Sequence, residues 1–378
     1  MSNKNITLSE IRVGAERTEV YFPWIKDKRI ALVVNQTSMI RDQHLVDSLN
    51  NAGINIVKIF SPEHGFRGDR DAGANVYNQV DDRTGIPIIS LYGRNNKPKT
   101  SDLKNVDVII FDIQDVGVRF YTYVSTMHYV MEACAENNIT FIVLDRPNPN
   151  GYYIDGPVME NNYTSFVGLH PVPLVHGLTV AEYAQMINGE GWLRKSIKCN
   201  LKYVTVENYN HSSFYIVPVK PSPNLPNINA VYLYPSLGLF EGTIVSVGRG
   251  TEWPFQVIGH PDLQNYDFTF TPKAIKGASS YPPFLNRECK GYYLSDILMD
   301  SIKEWKMISL HWLKVTYEDL KNKHHYFNSY FNYLAGNSTL KKQIMNGISE
   351  EEIRKSWQVD IKNYKEKRKK YILYPDFD

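Results

Sequence analysis

VDVIIFDIQDVGVRFYTYVSTMHYVMEACAENNITFIVLD, residues 106–145, is the stretch whose reading decides the fold. Its opening VDVIIFD (106–112) is the most apolar short run of the chain, and its closing TFIVLD (140–145) has the β-branched and aromatic composition of a strand. Between them, YTYVSTMHYVMEACAENN (121–138) carries apolar residues at helical spacing. Strand, crossover helix and strand make a βαβ unit. Strands this continuously apolar have to be covered on both faces, which predicts a parallel sheet between layers of helix.

The same alternation extends outward. RIALVVN (29–35), INIVKIF (54–60) and PIISLYG (87–93) predict further strands, and HLVDSLNNAG (44–53) predicts a helix that closes on Gly53. TVAEYAQMINGEGWL (179–193) predicts a helix capped by Thr179, with Glu182 in capping-box position, and LKYVTVENY (201–209) one more strand. Residues 1–216 therefore read as an α/β, Rossmann-like domain. VPVKPSPNLPNINAVYLYPS (217–236) carries five prolines and reads as the crossing into a second domain, 217–378. That part holds a strand-like IVSVG (244–248), a predicted helix LSDILMDSIKEW (294–305) and a helical tail.

Composition narrows the function. With 378 residues and 43% hydrophobic content the chain can bury large cores, and 42 basic against 40 acidic residues leave no global field to draw it to nucleic acid or anionic lipid. KEKRKK (365–370) reads as the solvated face of a final helix. Cys134, Cys199 and Cys289 are too few and too far apart for a disulfide framework or a zinc ribbon. No apolar run is long enough to span a membrane, and the first residues show no export signal, so the expectation is either a cytoplasmic protein or a mature form of an exported one. The unusual figure is the 26 tyrosines, whose apolar face and hydroxyl suit sugar rings as well as protein packing.

In an open parallel sheet ligands gather beyond the carboxyl ends of the strands. There the sequence turns polar at every predicted strand. FSPEHGFRGDRDAG (60–73) follows the second, FDIQDVGVRFYTY (111–123) the fourth and LDRPNPNG (144–151) the fifth, so one crevice is expected to gather Glu63, Asp112, Asp115 and Asp145. No G-x-G-x-x-G follows the first strand and no G-x-x-x-x-G-K-[ST] occurs, which removes the usual cradles for dinucleotides and triphosphates; no cofactor is expected. Without a G-x-S-x-G elbow, acyl transfer is not indicated either. Carboxylates beside arginine and histidine suit glycoside hydrolysis, in which one carboxyl protonates the leaving oxygen and another activates water or attacks the sugar. They also suit metal-assisted hydrolysis, although Glu63-His64 lacks H-E-x-x-H spacing. For Asp145, capping the next helix or pairing with Arg146 stands level with catalysis. LGLFEGTIVSVGRGTEWPFQVIGHP (237–261) adds Glu241, Arg249 and Glu252 among aromatic residues, either as a salt-bridged glycine-rich hairpin or as the far wall of the same cleft.

SPEHGFRG, FDIQDVGVRFYTY, LDRPNPNG, PSPNLP, FEGT, SVGRGTEWPFQVIG and the closing WQVDIKNYKEKRKKYILY resemble, in this order, the bacterial exo-β-N-acetylmuramidases of the NamZ type, long described only as a domain of unknown function. The resemblance covers residues 12 to 374. It implies a Rossmann-like catalytic domain with a smaller α+β C-terminal domain, and release of N-acetylmuramic acid from the non-reducing ends of peptidoglycan fragments. It further implies Glu63 as the acid/base, with Asp112 and Glu241 as candidates for the second carboxylate. His64, Arg67, Asp115, Arg119, Tyr121, Asp145, Asn224, Arg249 and Glu252 are the matching positions expected to contact substrate, with Arg67, Arg119 or Arg249 receiving the lactyl carboxylate. Family members are commonly exported, so a periplasmic or secreted location is implied beside the cytoplasmic reading. The competing readings are a divalent-metal hydrolase built on the same carboxylates and a cell-wall sugar-binding protein without catalysis.

Overall fold

The computed structural model describes residues 11–62, 66–67, 79–93, 95–297 and 299–377. The first part of the chain runs α1 (Thr18–Ile25), β1 (Ile30–Val34), β2 (Met39–Ile40), β3 (Gln43–His44), α2 (Leu45–Asn51), β4 (Ile56–Ser61), β5 (Gln79–Val80), β6 (Pro87–Ser90), β7 (Val108–Asp112), α3 (Tyr123–Glu136), β8 (Thr140–Leu144), α4 (Val180–Gly189) and β9 (Asn200–Val204). The second part runs α5 (Ile228–Leu237), β10 (Val257–His260), β11 (Phe268–Phe270), β12 (Cys289–Tyr293), α6 (Met299–Trp305), α7 (His311–Leu320), α8 (Phe331–Ala335), α9 (Thr339–Met345) and α10 (Glu350–Arg368).

Among the described residues the main sheet has seven strands in the order β5-β6-β4-β1-β7-β8-β9. β5 lies antiparallel on one edge and the other neighbours pair in parallel. Numbered along the chain, the parallel strands stand 3-2-1-4-5-6, the order of a doubly wound fold, with its switch point between β1 and β7. Every residue of β1 and β7 is buried, as their uninterrupted apolar sequence requires. α4 begins with the expected capping box, Thr179 and Glu182 each satisfying the other's backbone N–H.

The second part carries a three-stranded antiparallel sheet, β10-β12-β11, among its helices. Among the described residues its sheet holds a small cluster of its own, Val257, Phe270 and Cys289, beside the main core that it shares with the first part. A single apolar cluster runs from Ala31 and Phe111 through α3 and α5 to Tyr364 of α10. The chain end also returns to the first part: Tyr364 Oη donates to the carbonyl of His176 at 2.7 Å, and the buried Arg368 guanidinium binds the carbonyl of Gly177 and the Asp376 carboxylate.

One predicted element needs correcting, and another was not read from the sequence. The proline-rich crossing is in its second half the buried helix α5, with Pro235 inside it. Proline there deprives the Val231 carbonyl of its helical donor, and Asn150 Nδ2 supplies one instead at 3.2 Å. IVSVG is not a strand; Ser246 makes a single isolated bridge to Gly259 of β10.

Candidate active site

At the switch point the loops after β1 and β7 lock together. Thr37 Oγ1 accepts from the Gln114 N–H at 2.9 Å, and Ser38 Oγ donates to the carbonyl of Asp112. Asp112 itself, fully buried, holds Arg146 through two bonds, Nε to Oδ1 at 2.6 Å and Nη2 to Oδ2 at 2.9 Å. Asp145 is as deeply enclosed: Oδ1 accepts from the Ala181 N–H at the start of α4 at 2.9 Å, and Oδ2 from Tyr374 Oη at 2.5 Å. Burial pushes its carboxyl up to about 7, against the pull of the Tyr374 hydroxyl. Asp145 thus caps the next helix, while the arginine beside it serves Asp112. The expectation of one open crevice shared by these carboxylates is corrected accordingly, since neither Asp112 nor Asp145 presents surface to a ligand. Glu63 and His64 lie outside the described residues.

Asp115 is held differently. Its Oδ1 accepts from the Gly117 N–H at 2.7 Å, while Oδ2 is buried without a hydrogen-bond partner. Gly117 has φ +76°, and a Cβ there would lie 2.2 Å from the Asn148 side chain, so this turn requires glycine. Burial pushes the Asp115 carboxyl up to about 7, opposed by the N–H groups of Gly117 and Val116. A carboxyl raised in the folded state contributes stability that is fully present below about pH 4 and lost as pH rises through about 7. Asp115→Asn keeps the acceptor for Gly117 and removes the ionisation. The unfolding free energy of the variant relative to wild type should therefore improve by about 1.4 kcal/mol for each pH unit across that window. Urea unfolding at pH 4, 5.5 and 7 measures it, and a pH-independent difference would sink the argument.

The three arginines offered for a substrate carboxylate separate clearly. Arg119 is 2% exposed and donates to the carbonyls of Pro157, Val172 and Leu334 at 2.8–2.9 Å, bolting the first part to α8. Burial pushes its pKa down to about 10. Arg67 spans two carboxylates, Asp81 at 3.0 Å and Asp47 at 3.1 Å. Arg249 stands in an open cavity. Asn224 is buried and ties its turn to the carbonyl of Ala278 at 3.0 Å, and Glu252 is exposed.

That cavity, about 240 Å³, lies between the two parts of the chain. The FYTY run 120–123 ahead of and entering α3 forms one wall; Ser222, Tyr234 of α5, Glu241, Arg249 and Tyr330 form the other. Tyr121 is fixed by its hydroxyl, which donates to the carbonyl of Pro221 at 2.6 Å. Gly238 lets the backbone approach Phe120, since a Cβ there would lie 2.4 Å from the ring. Arg249 meets Glu241 through Nε at 2.8 Å and Nη2 at 2.7 Å, both on Oε1, and its Cζ lies 5.1 Å over the Phe255 ring. Tyr121, Glu241 and Arg249 are thus brought together as expected positions, Tyr123 joins them from the same FYTY run, and Tyr234 and Tyr330 carried no local signal beyond the high tyrosine count.

Aromatic faces, a carboxylate and a guanidinium at the carboxyl edge of a doubly wound sheet define the class: an α/β protein with a compact polar and aromatic site closed by its second part. The chain belongs to the NamZ family, matching "Exo-beta-N-acetylmuramidase NamZ, N-terminal" over residues 30–229 and the C-terminal counterpart over 232–374. It is 40% identical over 373 residues to the peptidoglycan beta-N-acetylmuramidase NamZ of Bacillus subtilis, covering 94% of this chain and 89% of that protein. Crystal structures of two DUF1343 family proteins from Bacteroides fragilis share the fold. One has a TM-score of 0.90 at 46% identity and the other 0.80 at 30%, and each comparison covers 97% of this chain and 99% of the other.

Proposed function

We propose that this chain is an exo-β-N-acetylmuramidase that removes N-acetylmuramic acid from the non-reducing ends of peptidoglycan fragments, with the cavity between its two parts as the sugar site. The observation that carries the assignment is the Glu241–Arg249 pair set among tyrosines in the cavity between the two parts. In this reading Glu63 protonates the glycosidic oxygen as the bond to C1 breaks. The second carboxylate, Glu241, takes the proton of the water whose oxygen joins C1 or itself attacks that carbon. Arg249 receives the lactyl carboxylate. Residues 217–378 complete the cleft, and walls on both sides suit a terminal sugar. Asp112 acts at a distance by holding the switch-point loops, and Asp145 by fixing the start of α4 and the chain end at Tyr374. A peptidoglycan substrate supports a periplasmic or secreted location, with the cytoplasm as the alternative, and none of the described helices is long and apolar enough to cross a membrane.

The test is incubation of the full chain with a chromogenic N-acetylmuramide with and without EDTA. Release of the chromophore that chelator leaves unchanged is the expected result. Chelator-sensitive turnover would transfer the assignment to a metal hydrolase, and saturable binding without turnover to a sugar-binding protein.

A further inference from the structure

Away from the carboxylates discussed above, β10 ends on His260, and Asp262 follows two residues later. Across from them stands His324, in the turn after α7. His324 Nε2 lies 2.6 Å from Asp262 Oδ2, and His260 Nδ1 lies 3.9 Å from the same oxygen. Among the described residues these are the three side chains whose donor atoms come together as a metal-capable group, all within 4.8 Å of one another.

We propose that His260, Asp262 and His324 form a binding site for a divalent transition-metal ion, zinc by preference. Two imidazole nitrogens and one carboxylate oxygen are a borderline-soft donor set that suits zinc better than calcium or magnesium. Ligands about 2.1 Å from a tetrahedral ion stand about 3.4 Å apart, a value that falls between the two measured separations. His260 Nδ1 accepts the backbone N–H of Asp262 at 3.1 Å, so this nitrogen carries no proton, and an ion bound there takes over the lone pair from that N–H. The buried ring is held edge-to-face against Phe284 at 4.8 Å and has little freedom to turn away. An ion entering here takes the place of the proton between His324 Nε2 and Asp262 Oδ2. That proton passes to Nδ1 of the same ring or, from an imidazolium, to water. The nearby ammonium of Lys323 is directed to the backbone carbonyl of Asp262 at 3.2 Å rather than to its carboxylate.

The position gives such an ion a structural task. β10 holds the Ser246 backbone through two bonds between Ser246 and Gly259, at 2.8 and 3.0 Å, just ahead of Arg249. The segment after His324 holds the other end of the same turn, where the Ile244 N–H donates to the carbonyl of Tyr326 at 3.0 Å, and then supplies Tyr330 to the cavity. Zinc would clip together the two segments that support the Glu241–Arg249 wall. This inference stands independently of the muramidase assignment.

The experiment is calorimetric titration of the full chain, stripped with EDTA and exchanged into chelator-free buffer, with zinc chloride alone, alongside thermal melts. One zinc per chain is expected, with a rise in Tm of about 2 °C or more at saturation. His324→Gln and Asp262→Asn change side chains that are 34% and 46% exposed, and each should weaken binding at least tenfold. The absence of binding to wild type would overturn the site. So would undiminished one-to-one binding in either folded variant, because zinc would then be held elsewhere.

Discussion

Glu63→Gln is expected to give a folded chain whose turnover of an N-acetylmuramide falls by about 10²-fold or more, the range in which losing a general acid or base places an enzyme. Glutamine keeps the size and hydrogen-bonding shape of the side chain but has no proton to pass to the leaving oxygen. The loss should be smaller on a substrate with an acidic phenol as leaving group, which departs with less help, than on the natural disaccharide linkage. That gradient separates an acid from a residue that merely holds the loop, which would affect both substrates alike. Glu241→Gln belongs in the same experiment. Its Oε1 receives both Arg249 contacts, so the amide preserves the acceptor while removing the charge. A comparable loss marks Glu241 as the second carboxylate. Near-wild-type turnover in Glu63→Gln removes that residue from the mechanism, whatever Glu241 does.

Much of the fold can be read from composition because its central strands are buried on both faces. IALVV and VIIFD admit no alternation, and their observed ranges fall within two residues of the expected ones. The Thr179 capping box is equally local, and so equally visible. α5 was hidden for the opposite reason. Proline disfavours a helix locally, and the group that makes Pro235 tolerable, Asn150, acts on Val231 from 81 residues away. The site divides along the same line. Glu241 and Arg249 are eight residues apart, and their polar density shows in the sequence. The strand-end rule pointed to the edge of the sheet where the cavity lies but could not distinguish an open carboxylate from a sealed one, because Tyr374 reaches Asp145 from the far end of the chain. Nothing near Tyr234 or Tyr330 marks them out from the other tyrosines; only the fold brings those two segments to the cavity beside the FYTY run.

The wild-type protein should prefer an N-acetylmuramide to the corresponding N-acetylglucosaminide by about 100-fold or more in kcat/KM, and Arg249→Gln should abolish most of that preference. The two sugars differ by the lactyl ether, which adds one carboxylate, so the discrimination has to come from a cation within reach of the ring. Arg119 is surrounded by backbone carbonyls and Arg67 by two aspartates, which leaves Arg249 as the guanidinium that lines the cavity among the three expected ones. Its two contacts to Glu241 fall on one oxygen, and the planar fork of a guanidinium can serve a second carboxylate beside the first. The glucosaminide brings no carboxylate to the guanidinium and so forgoes the charge-assisted bonds that the muramide can form. Removing Arg249 also disturbs Glu241, so both substrates should turn over more slowly. For that reason the decisive quantity is the ratio of the two kcat/KM values, in which damage to the shared chemistry cancels. A ratio unchanged in Arg249→Gln would mean that the lactyl carboxylate is read elsewhere, and the assignment of Arg249 would fail even if the enzyme were slow.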